Sequence, residues 1–342
     1  MSTKYNLRDF RSNQEVKWCP GCGDYGILAA VQRALPEVAE ALNYEKERFT
    51  FVSGIGCSSR FPYYVSTYGF HGIHGRAAAI ATGVKVANPK LSVWQISGDG
   101  DALAIGGNHF IHAVRRNIDL NIILFDNQIY GLTKGQYSPT SKLGAVTGTS
   151  PYGTVEHPFV PGELVLGARG TFFARSLDID IKLTAECLSA SAKHDGTSVT
   201  VIFQNCVIFN DGVYKNLSNK ELREDNTITL RHGERMIYGK NRDKGLILDH
   251  ENLCLKSVTI GENGITEQDI LTHNAENPNP GVHLMLANMK YPELPVAFGV
   301  IRCVKDKTYE RNVSEQIDKI HAEAKIKNTD DLLRSGSTWE IG

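Results

Sequence analysis

The chain contains 342 residues, of which 41% are apolar, so it can bury a full core in one large domain or two ordinary ones. Its net charge of −1 and the scattered positions of its Lys and Arg residues argue against nucleic acid or an anionic membrane as a partner. No apolar run approaches the roughly 20 residues that span a bilayer, and the N-terminus lacks the apolar core of a secretion signal, so we expect a cytoplasmic protein.

Apolar strands alternate with segments of helical periodicity through residues 1–206. The predicted strands are 49–53, 92–97, 121–126, 171–177 and 198–204. The predicted helices are 26–42, 75–88, near 104–116 and 180–194, the last capped by Asp178 or Asp180. This alternation is typical of an α/β fold with a doubly wound, mainly parallel sheet and right-handed crossovers.

Two stretches depart from this alternation. Residues 128–170 are rich in Gly, Pro, Ser and Thr, which predicts a long functional loop with short elements. From about residue 207 the chain becomes polar, with hairpin-like strands at 245–249 and 253–259 and a helix of mixed charge near 309–327. We interpret residues 207–342 as a C-terminal extension that contacts another subunit.

The strongest chemical signal is Gly98-Asp99-Gly100, which follows one predicted strand, with Asn127 at the end of the next. The carboxyl ends of parallel strands meet at one edge of the sheet, where ligands bind in open α/β folds. A carboxylate from Asp99, an amide oxygen from Asn127 and the backbone carbonyl of Ile129 are hard oxygen ligands suited to Mg²⁺. The flanking glycines let the backbone approach a phosphate group. We therefore predict a Mg²⁺-diphosphate site.

Seven cysteines make an odd number in a chain without a secretion signal, which argues against a disulfide framework. Cys19 and Cys22 flank a Pro-Gly turn, a spacing that suits two ligands of one metal centre, and no second such pair exists for a zinc ribbon. Cys57 and Cys206 follow strands in loop positions, and four separated thiolates can hold a [4Fe–4S] cluster. The remaining cysteines are expected to be small core residues. They are Cys187, Cys254 and Cys303.

With these motifs the chain resembles the thiamine diphosphate enzymes, and it is most similar to the β subunits of 2-oxoacid:ferredoxin oxidoreductases, particularly the 2-oxoglutarate type. The resemblance covers about residues 15–215. The motifs that carry it are, in order, Trp18-Cys19-Pro20-Gly21-Cys22-Gly23, Gly54-Ile55-Gly56-Cys57-Ser58-Ser59-Arg60, His71-Gly72-Ile73-His74-Gly75-Arg76, Gly98-Asp99-Gly100-Asp101 and Gly131-Leu132-Thr133-Lys134-Gly135-Gln136.

The resemblance implies three cofactors: thiamine diphosphate, Mg²⁺ and a [4Fe–4S] cluster. It implies that residues 1–206 form the domain that binds them. The implied cluster ligands are Cys19, Cys22, Cys57 and Cys206. The implied cofactor-binding residues are Gly56, Cys57, Ser58, His74, Gly98, Asp99, Gly100, Asp101, Asn127, Ile129, Gly131, Leu132 and Thr133. A cluster beside thiamine diphosphate makes chemical sense, because the cofactor supplies decarboxylation chemistry and the cluster can take up electrons singly.

Three side chains are our candidates for the substrate side of the site, namely His74, Arg60 and Lys134. His71 and His74 flank a glycine turn before the helix 75–88, and the resemblance favours a role for His74 over a merely structural one. Arg60 suits bidentate capture of a carboxylate. Relatives that favour pyruvate tend to carry a small residue at the position of Lys134, so this lysine favours 2-oxoglutarate. For Arg60 and Lys134 the alternative is a solvent-exposed cation without a role in binding.

The resemblance also implies partners. Thiamine diphosphate is normally activated by a Glu from a second domain of the same ancestry, and this chain lacks the sequence for one. We expect an α subunit to supply the pyrimidine half-site and the activating Glu, in an (αβ)₂ assembly. Ferredoxin and coenzyme A are the implied electron and acyl acceptors. We predict that the isolated chain binds the cofactor weakly and is inactive.

The sequence therefore predicts the catalytic β subunit of a 2-oxoacid:ferredoxin oxidoreductase that acts on 2-oxoglutarate by oxidative decarboxylation or its reverse. One alternative is an enzyme for pyruvate or a broad range of 2-oxoacids. A second is a subunit of a non-redox thiamine-dependent decarboxylase or carboligase, which would not need four cluster cysteines. A third is a zinc-bearing assembly protein whose diphosphate fold is a relic.

Overall fold

Parallel strands form the centre of this computed structural model, which describes residues 4–342. The α-helices are Asp24–Leu42 (α1), Ala77–Ala87 (α2), Asp99–Leu103 (α3), Gly107–Arg116 (α4), Pro161–Gly167 (α5), Ile181–Lys193 (α6), Lys215–Ser218 (α7), Arg223–Asn226 (α8), Gly281–Asn288 (α9), Tyr309–Glu323 (α10) and Thr329–Leu333 (α11). The strands are Phe49–Ser53 (β1), Tyr68–His71 (β2), Ser92–Gly98 (β3), Asn121–Asp126 (β4), Phe172–Leu177 (β5), Ser198–Phe203 (β6), Thr227–Leu230 (β7), Ile237–Tyr238 (β8), Lys244–Asp249 (β9), Cys254–Thr259 (β10) and Val296–Cys303 (β11). Short 3₁₀ helices are Leu7–Phe10, Lys46–Arg48, Ser58–Tyr63 and Glu267–Asp269.

The main sheet has eight strands in the order β2-β1-β3-β4-β6-β5-β11-β7. Neighbours are parallel except β11 and β5, which are antiparallel, so the predicted mainly parallel sheet is confirmed. The chain leaves β1 toward β2 on one side and leaves β3 toward β4 on the other. The crevice between the carboxyl ends of β1 and β3 is thus a topological switch point, the usual ligand site of such a sheet.

Helices cover both faces of this sheet, as a doubly wound fold requires. Phe51, Trp94 and Phe125 belong to the core cluster that also contains side chains of α1 and α6. Val52 and Val93, one residue away along the same strands, belong to the cluster on the opposite face with side chains of α2 and α4. Successive side chains of a strand point to opposite faces, so strands buried on both sides must be apolar throughout.

The structure corrects the helix that we predicted near 104–116. Helix α3 begins at Asp99, directly after β3, and a break separates it from α4. A Cβ atom at Gly106 would lie 2.5 Å from the backbone oxygen of Asp101, so the chain passes too closely there for a larger residue. Of the two predicted caps of α6, Asp180 is the one observed, because its side chain accepts a hydrogen bond from the N–H of Leu183 at 3.1 Å.

The extension contributes to the main sheet as well as forming elements of its own. Strands β7 and β11 lie at one edge of the eight-stranded sheet. The predicted hairpin is confirmed as β9 and β10, which pair antiparallel and form a three-stranded sheet with β8. The main sheet continues past residue 206. The predicted boundary there therefore stays a prediction about which residues bind the cofactors. Within residues 4–342, the helices are all too short or too polar to cross a membrane.

Candidate functional site

The carboxyl ends of β3 and β4 bring the two predicted oxygen ligands to one edge of the sheet. Gly98 pairs in register with Phe125, so the residues that follow them, Asp99 and Asp126, emerge side by side. Asn127 comes next, and its side-chain oxygen accepts the N–H of Ile129 at 3.1 Å. This turn leaves the amide oxygen a second lone pair for another partner.

Two hydroxyl groups from the loop after β4 contact the carboxylate of Asp99. The Ser138 and Thr140 hydroxyls each lie 2.5 Å from its Oδ2 atom. The Thr140 hydroxyl also lies 2.9 Å from Oδ1 of Asp126, although it carries only one proton to donate. Two buried carboxylates therefore share one donor, with no Lys or Arg in ion-pair distance of either in residues 4–342.

The electrostatics of this edge suit a hard cation. Burial raises the pKa of Asp99, and burial together with the charge of Asp99 raises the pKa of Asp126 to about 7. A divalent ion would reverse both effects, because it favours the ionised carboxylate. The neighbouring atoms that could bind a metal ion belong to Asp99, Asn127 and the loop hydroxyls. All of them are oxygen atoms, the ligand type that Mg²⁺ prefers.

Asp101 links the two loops that flank this edge. Its Oδ1 atom accepts the N–H of Gly75 at 2.8 Å and the N–H of Ile55 at 3.2 Å. The same oxygen lies 2.9 Å from Nδ1 of His74, without the geometry of a hydrogen bond. Gly54 allows this approach, since a Cβ atom there would overlap the Asp101 carboxylate. Asp101 thus holds the loop after β1 and the turn before α2 together.

The two histidines of the predicted pair lie in different surroundings. His74 has 40% of its side chain exposed and sits in the turn before α2, beside Asp101. His71 is exposed on the edge strand β2, where its Nδ1 atom lies 3.1 Å from the carbonyl of Gly72. Only His74 therefore borders the edge where the acidic residues meet.

The four predicted cluster cysteines line one cavity of about 220 Å³: Cys19, Cys22, Cys57 and Cys206. The cavity also borders Asn127, Gly131 and Leu132. A Cβ atom at Gly131 would lie 3.4 Å from the sulfur of Cys206 and 3.8 Å from that of Cys57, so glycine leaves room between the thiols. The cysteine turn and the loops after β1, β4 and β6 thus converge.

The thiols surround a space instead of meeting at a point. No group of three or more His, Cys, Asp or Glu side chains in residues 4–342 is arranged to hold a single metal ion. In a [4Fe–4S] cluster each cysteine binds a different iron, so its ligands enclose the cluster. Without iron, burial raises the pKa of Cys57 to about 11 and raises that of Cys22 further, so both are neutral thiols.

The three other cysteines lie elsewhere, and one prediction about them was wrong. Cys187 is fully buried in α6, as expected, and Cys303 is half-buried. Cys254 is exposed. It is the first residue of β10 and follows the hairpin turn, where the strand is not covered by a second layer.

The predicted specificity residues do not meet in this chain alone. Arg60 is exposed and borders the cysteine cavity together with Leu132. Lys134 is exposed in the turn after Thr133, with a φ angle of 74°. Its backbone N–H donates to the carbonyl of Gly131 at 3.1 Å. Both cations are therefore free to face a ligand or a partner on the open side of the site.

The sequence analysis missed several side chains at this edge. Ser138 and Thr140 lie 39 and 41 residues after Asp99 in the sequence, and no local pattern indicates that they contact it. Asp24 was also missed, although it is buried beside Cys22 and its Oδ2 atom has no hydrogen-bond partner among the described residues. Burial, and then the charge of Asp178, raise the pKa of Asp24 to about 7.

The chain is similar to known proteins that bind thiamine pyrophosphate or are named as 2-oxoacid oxidoreductases. The family described as "Thiamine pyrophosphate enzyme, C-terminal TPP binding domain" matches residues 54–202. The chain is 44% identical, over 98% of its own length and 88% of the relative's, to 2-oxoglutarate oxidoreductase subunit KorB of Mycobacterium tuberculosis. It is 43% identical to the β subunit of 2-oxoacid:ferredoxin oxidoreductase 1 from Aeropyrum pernix, over 60% of this chain and 63% of that one.

A solved structure is similar over nearly the whole chain. It is a 2-oxoglutarate:ferredoxin oxidoreductase from Magnetococcus marinus with 2-oxoglutarate, coenzyme A and succinyl-CoA bound. The TM-score is 0.76 at 29% identity, and the match covers 98% of this chain and 97% of the other. The likeness therefore includes the extension as well as the domain that carries the predicted site.

Proposed function

This chain belongs to the β subunits of the 2-oxoacid:ferredoxin oxidoreductases, and we propose that it serves the 2-oxoglutarate reaction. The proposed reaction joins decarboxylation of 2-oxoglutarate to formation of succinyl-CoA and reduction of ferredoxin, or runs in reverse. The relatives named for 2-oxoglutarate support this substrate, since KorB of M. tuberculosis aligns with 98% of the chain. The solved relative with 2-oxoglutarate and coenzyme A bound supports it independently.

One observation carries the proposal. The four cysteines share a cavity with Asn127, which directly follows Asp126 at the acidic edge. A redox centre in that cavity would stand next to a diphosphate cofactor at the strand ends, which a non-redox thiamine enzyme does not need. We therefore assign the cavity to a [4Fe–4S] cluster with Cys19, Cys22, Cys57 and Cys206 as ligands.

The acidic edge is our candidate for the metal and the diphosphate. Asp99, Asn127 and the carbonyl of Ile129 would hold Mg²⁺. The hydroxyls of Ser138 and Thr140 would orient the Asp99 carboxylate while the bound ion compensates its negative charge. Thiamine diphosphate supplies the decarboxylation chemistry when bound. Helix α3 begins directly after Gly98, so its first backbone N–H groups lie at the same edge of the sheet.

Other residues of the chain orient the reacting groups. Asp101 fixes the turn that carries His74 and the loop that leads to Cys57. We propose that His74 donates or accepts a proton at the cofactor, and the 40% exposure of its side chain beside Asp101 supports this role. Arg60 and Lys134 are the cations proposed to meet the carboxylates of 2-oxoglutarate.

The open side of the site is the proposed contact with an α subunit. Within residues 4–342, edge strand β2 has no partner strand on its outer side, and it exposes Tyr68 and Phe70, which are 63% and 44% exposed. Ile73 and Ile105 add further exposed apolar surface near the His74 turn, at 69% and 56%. Large exposed apolar side chains on one edge strand and the turn that follows it are typical of a subunit interface. The partner would complete the cofactor site with an activating Glu.

The deciding experiment uses the chain co-purified with its α subunit. We expect coenzyme A-dependent reduction of ferredoxin with 2-oxoglutarate, at a kcat/KM well above that for pyruvate. The same preparation should contain iron and acid-labile sulfide in equal amounts, and the isolated chain should be inactive. Turnover without ferredoxin reduction, or zinc in place of iron, would refute the proposed redox function.

A further inference from the structure

A second cavity, of about 600 Å³, lies beyond the acidic edge, between the sheet and the helices α5 and α9. Its size falls within the roughly 300–1000 Å³ typical of small-molecule sites. Residues 126–203 form one part of its wall, and residues 213–296 form the other. The C-terminal extension therefore completes a cavity that the α/β domain alone would leave open.

A buried cation lies in this wall. Arg175, on β5, is only 5% exposed, and its guanidinium donates to the carbonyls of Ala297, Ala287 and Leu286 at 2.8, 3.0 and 3.3 Å. A guanidinium has five N–H donors, so two remain without an acceptor among residues 4–342. No carboxylate of those residues lies within ion-pair distance of it. Burial lowers the pKa of Arg175 to about 10, so it stays charged at neutral pH.

The other charged side chains of the cavity are two lysines and two acidic residues. Lys142 and Lys290 are exposed at its mouth, and neither forms an ion pair in the described part of the chain. Glu163 is also exposed there, and Asp126 lies in the wall, where Thr140 contacts it. Together with Arg175, three cations thus face two carboxylates.

Much of the remaining wall is aromatic. The ring of Phe203 stacks on the ring of Tyr214, with 4.3 Å between their centroids. The Arg175 guanidinium lies over the Phe203 ring, 5.5 Å from its centroid. Phe159 and Tyr291 are 48% and 42% exposed, and both also line the cavity. Apolar walls with a single cation in the floor recognise a ligand by its anionic end and its hydrophobic body.

We propose that this cavity binds an organic anion, with its carboxylate at Arg175 and its apolar body against the aromatic wall. The proposal does not depend on the reaction assigned to the strand ends. The two free N–H groups of Arg175 match the two oxygens of a carboxylate, which a guanidinium can bind in a bidentate manner.

The probe for the test is 4-phenylbutyrate, titrated into the α–β holoenzyme by calorimetry. We expect saturable binding with a Kd below about 5 mM, an affinity that one charge-assisted contact and an apolar body can supply. Its neutral amide has the same body, and acetate has the same charge without the body, so both should bind at least tenfold more weakly. An amide that binds within twofold of the carboxylate, or a carboxylate that does not saturate, overturns the proposal.

Variants at the mouth locate the bound probe without disturbing the core. The double variant Lys142→Gln with Lys290→Gln should raise the Kd of the probe about threefold to tenfold. The control is Lys319→Gln with Lys325→Gln, which removes the same total charge in and just after the distant helix α10. This control should leave the Kd unchanged. Equal effects of the two pairs overturn the assignment to this cavity. Arg175→Lys should weaken binding at least tenfold if it folds, and the lysine pair decides the question if it does not.

Discussion

The carboxylate of Asp101 accepts the backbone N–H of Gly75 at 2.8 Å and so fixes the turn that carries His74. The same oxygen accepts the N–H of Ile55 in the loop after β1. One buried side chain therefore sets the relative position of two loops that flank the topological switch point. A cofactor that contacts both loops depends on this link, even though Asp101 itself need not touch it.

Replacing Asp101 should separate positioning from binding. Asp101→Ala leaves the N–H groups of Ile55 and Gly75 unpaired, which costs roughly 1–3 kcal/mol per buried group, so the Kd for thiamine diphosphate should rise tenfold or more. Asp101→Asn keeps an acceptor oxygen and should recover most of this loss. Titration of both α–β complexes by tryptophan fluorescence checks the order. Equal affinities for the wild type and Asp101→Ala would show that the loops hold their positions without this carboxylate.

Removing the charge of Asp99 should have opposite effects on stability and on cofactor binding. Asp99→Asn relieves the repulsion between two buried acids that share the Thr140 hydroxyl, so the cofactor-free protein should melt about 2 °C higher or more. The variant should also lose most of the increase in Tm that Mg²⁺ and thiamine diphosphate give the wild-type complex.

Scanning fluorimetry with and without Mg²⁺ measures both effects on the same samples. Ser138→Ala is the matched control, since it removes a hydroxyl from Asp99 but leaves the carboxylate in place. It should retain most of the ligand-induced shift. A lower Tm for cofactor-free Asp99→Asn would contradict the proposal that the carboxylates of Asp99 and Asp126 repel each other until a cation binds.

The central sheet could be predicted from the sequence because local pattern dictates it. The strands 49–53 and 121–126 are continuous apolar runs bounded by polar or glycine residues, and both appear with the predicted bounds. The edge that carries Asp99 and Asn127 followed from the parallel arrangement of those strands. Contacts made by a distant loop could not be predicted in this way. Nothing in the residues around Thr140 indicates that its hydroxyl lies between Asp99 and Asp126.

Edge strands from the extension were missed for a related reason. Thr227–Leu230 is too short to show a period, and Val296–Cys303 follows a polar region in which no alternation of strands and helices was present. Strand β11 pairs with β5, which lies more than a hundred residues earlier in the chain, and β7 pairs with β11. Helix α3 was also missed, because the helix predicted near 104–116 begins where the break between α3 and α4 lies.

The assignment of the cluster cysteines can be tested by iron content. Cys206→Ser should lose most iron and sulfide, since Cys206 lines the cavity with Cys19, Cys22 and Cys57 and a serine oxygen is a poor ligand for iron–sulfur clusters. Cys254→Ser is the control, because this thiol is exposed on β10. It should purify with the wild-type iron content. Equal iron in both variants would mean that Cys206 is not a ligand.

His194 should make the folded protein sensitive to acid. Its Nε2 atom lies 2.9 Å from the hydroxyl of Thr171, which donates its proton to the Asn117 oxygen, so Nε2 carries the hydrogen of this contact. Burial lowers the pKa of His194 from 6.5 to about 4. The unfolded chain then binds the proton more readily, and stability falls as the pH drops from about 6.5 toward 4, by at most about 3 kcal/mol.

Urea unfolding between pH 7 and pH 4.5 measures this dependence. His194→Gln has no titrating ring, so its free energy of unfolding should fall less steeply than that of the wild type over this interval. His250→Gln, at an exposed position, should follow the wild-type slope. Parallel slopes for wild type and His194→Gln would place the acid sensitivity in other groups, such as His273 and His283, whose pKa values burial also lowers.

Lys134 provides the test of substrate choice, because its backbone conformation allows the side chain to be removed without strain. Its φ angle of 74° lies in the left-handed region, which glycine adopts without strain, so Lys134→Gly deletes the cation without a backbone penalty. A lost charge-assisted contact to the distal carboxylate is worth about 1.5–3 kcal/mol. The kcat/KM for 2-oxoglutarate should therefore fall about tenfold to a hundredfold, while that for pyruvate, which has no such carboxylate, should change little.

The control for this variant is Lys134→Asn, since Asn also tolerates the left-handed region but still carries a polar side chain. It should lose 2-oxoglutarate activity nearly as much as Lys134→Gly, because the charge and not the bulk is the proposed determinant. If only the glycine variant changes selectivity, pocket size decides the substrate. If both variants lose equal activity on the two substrates, the lysine acts on a step common to both, such as closure of the turn over the cofactor.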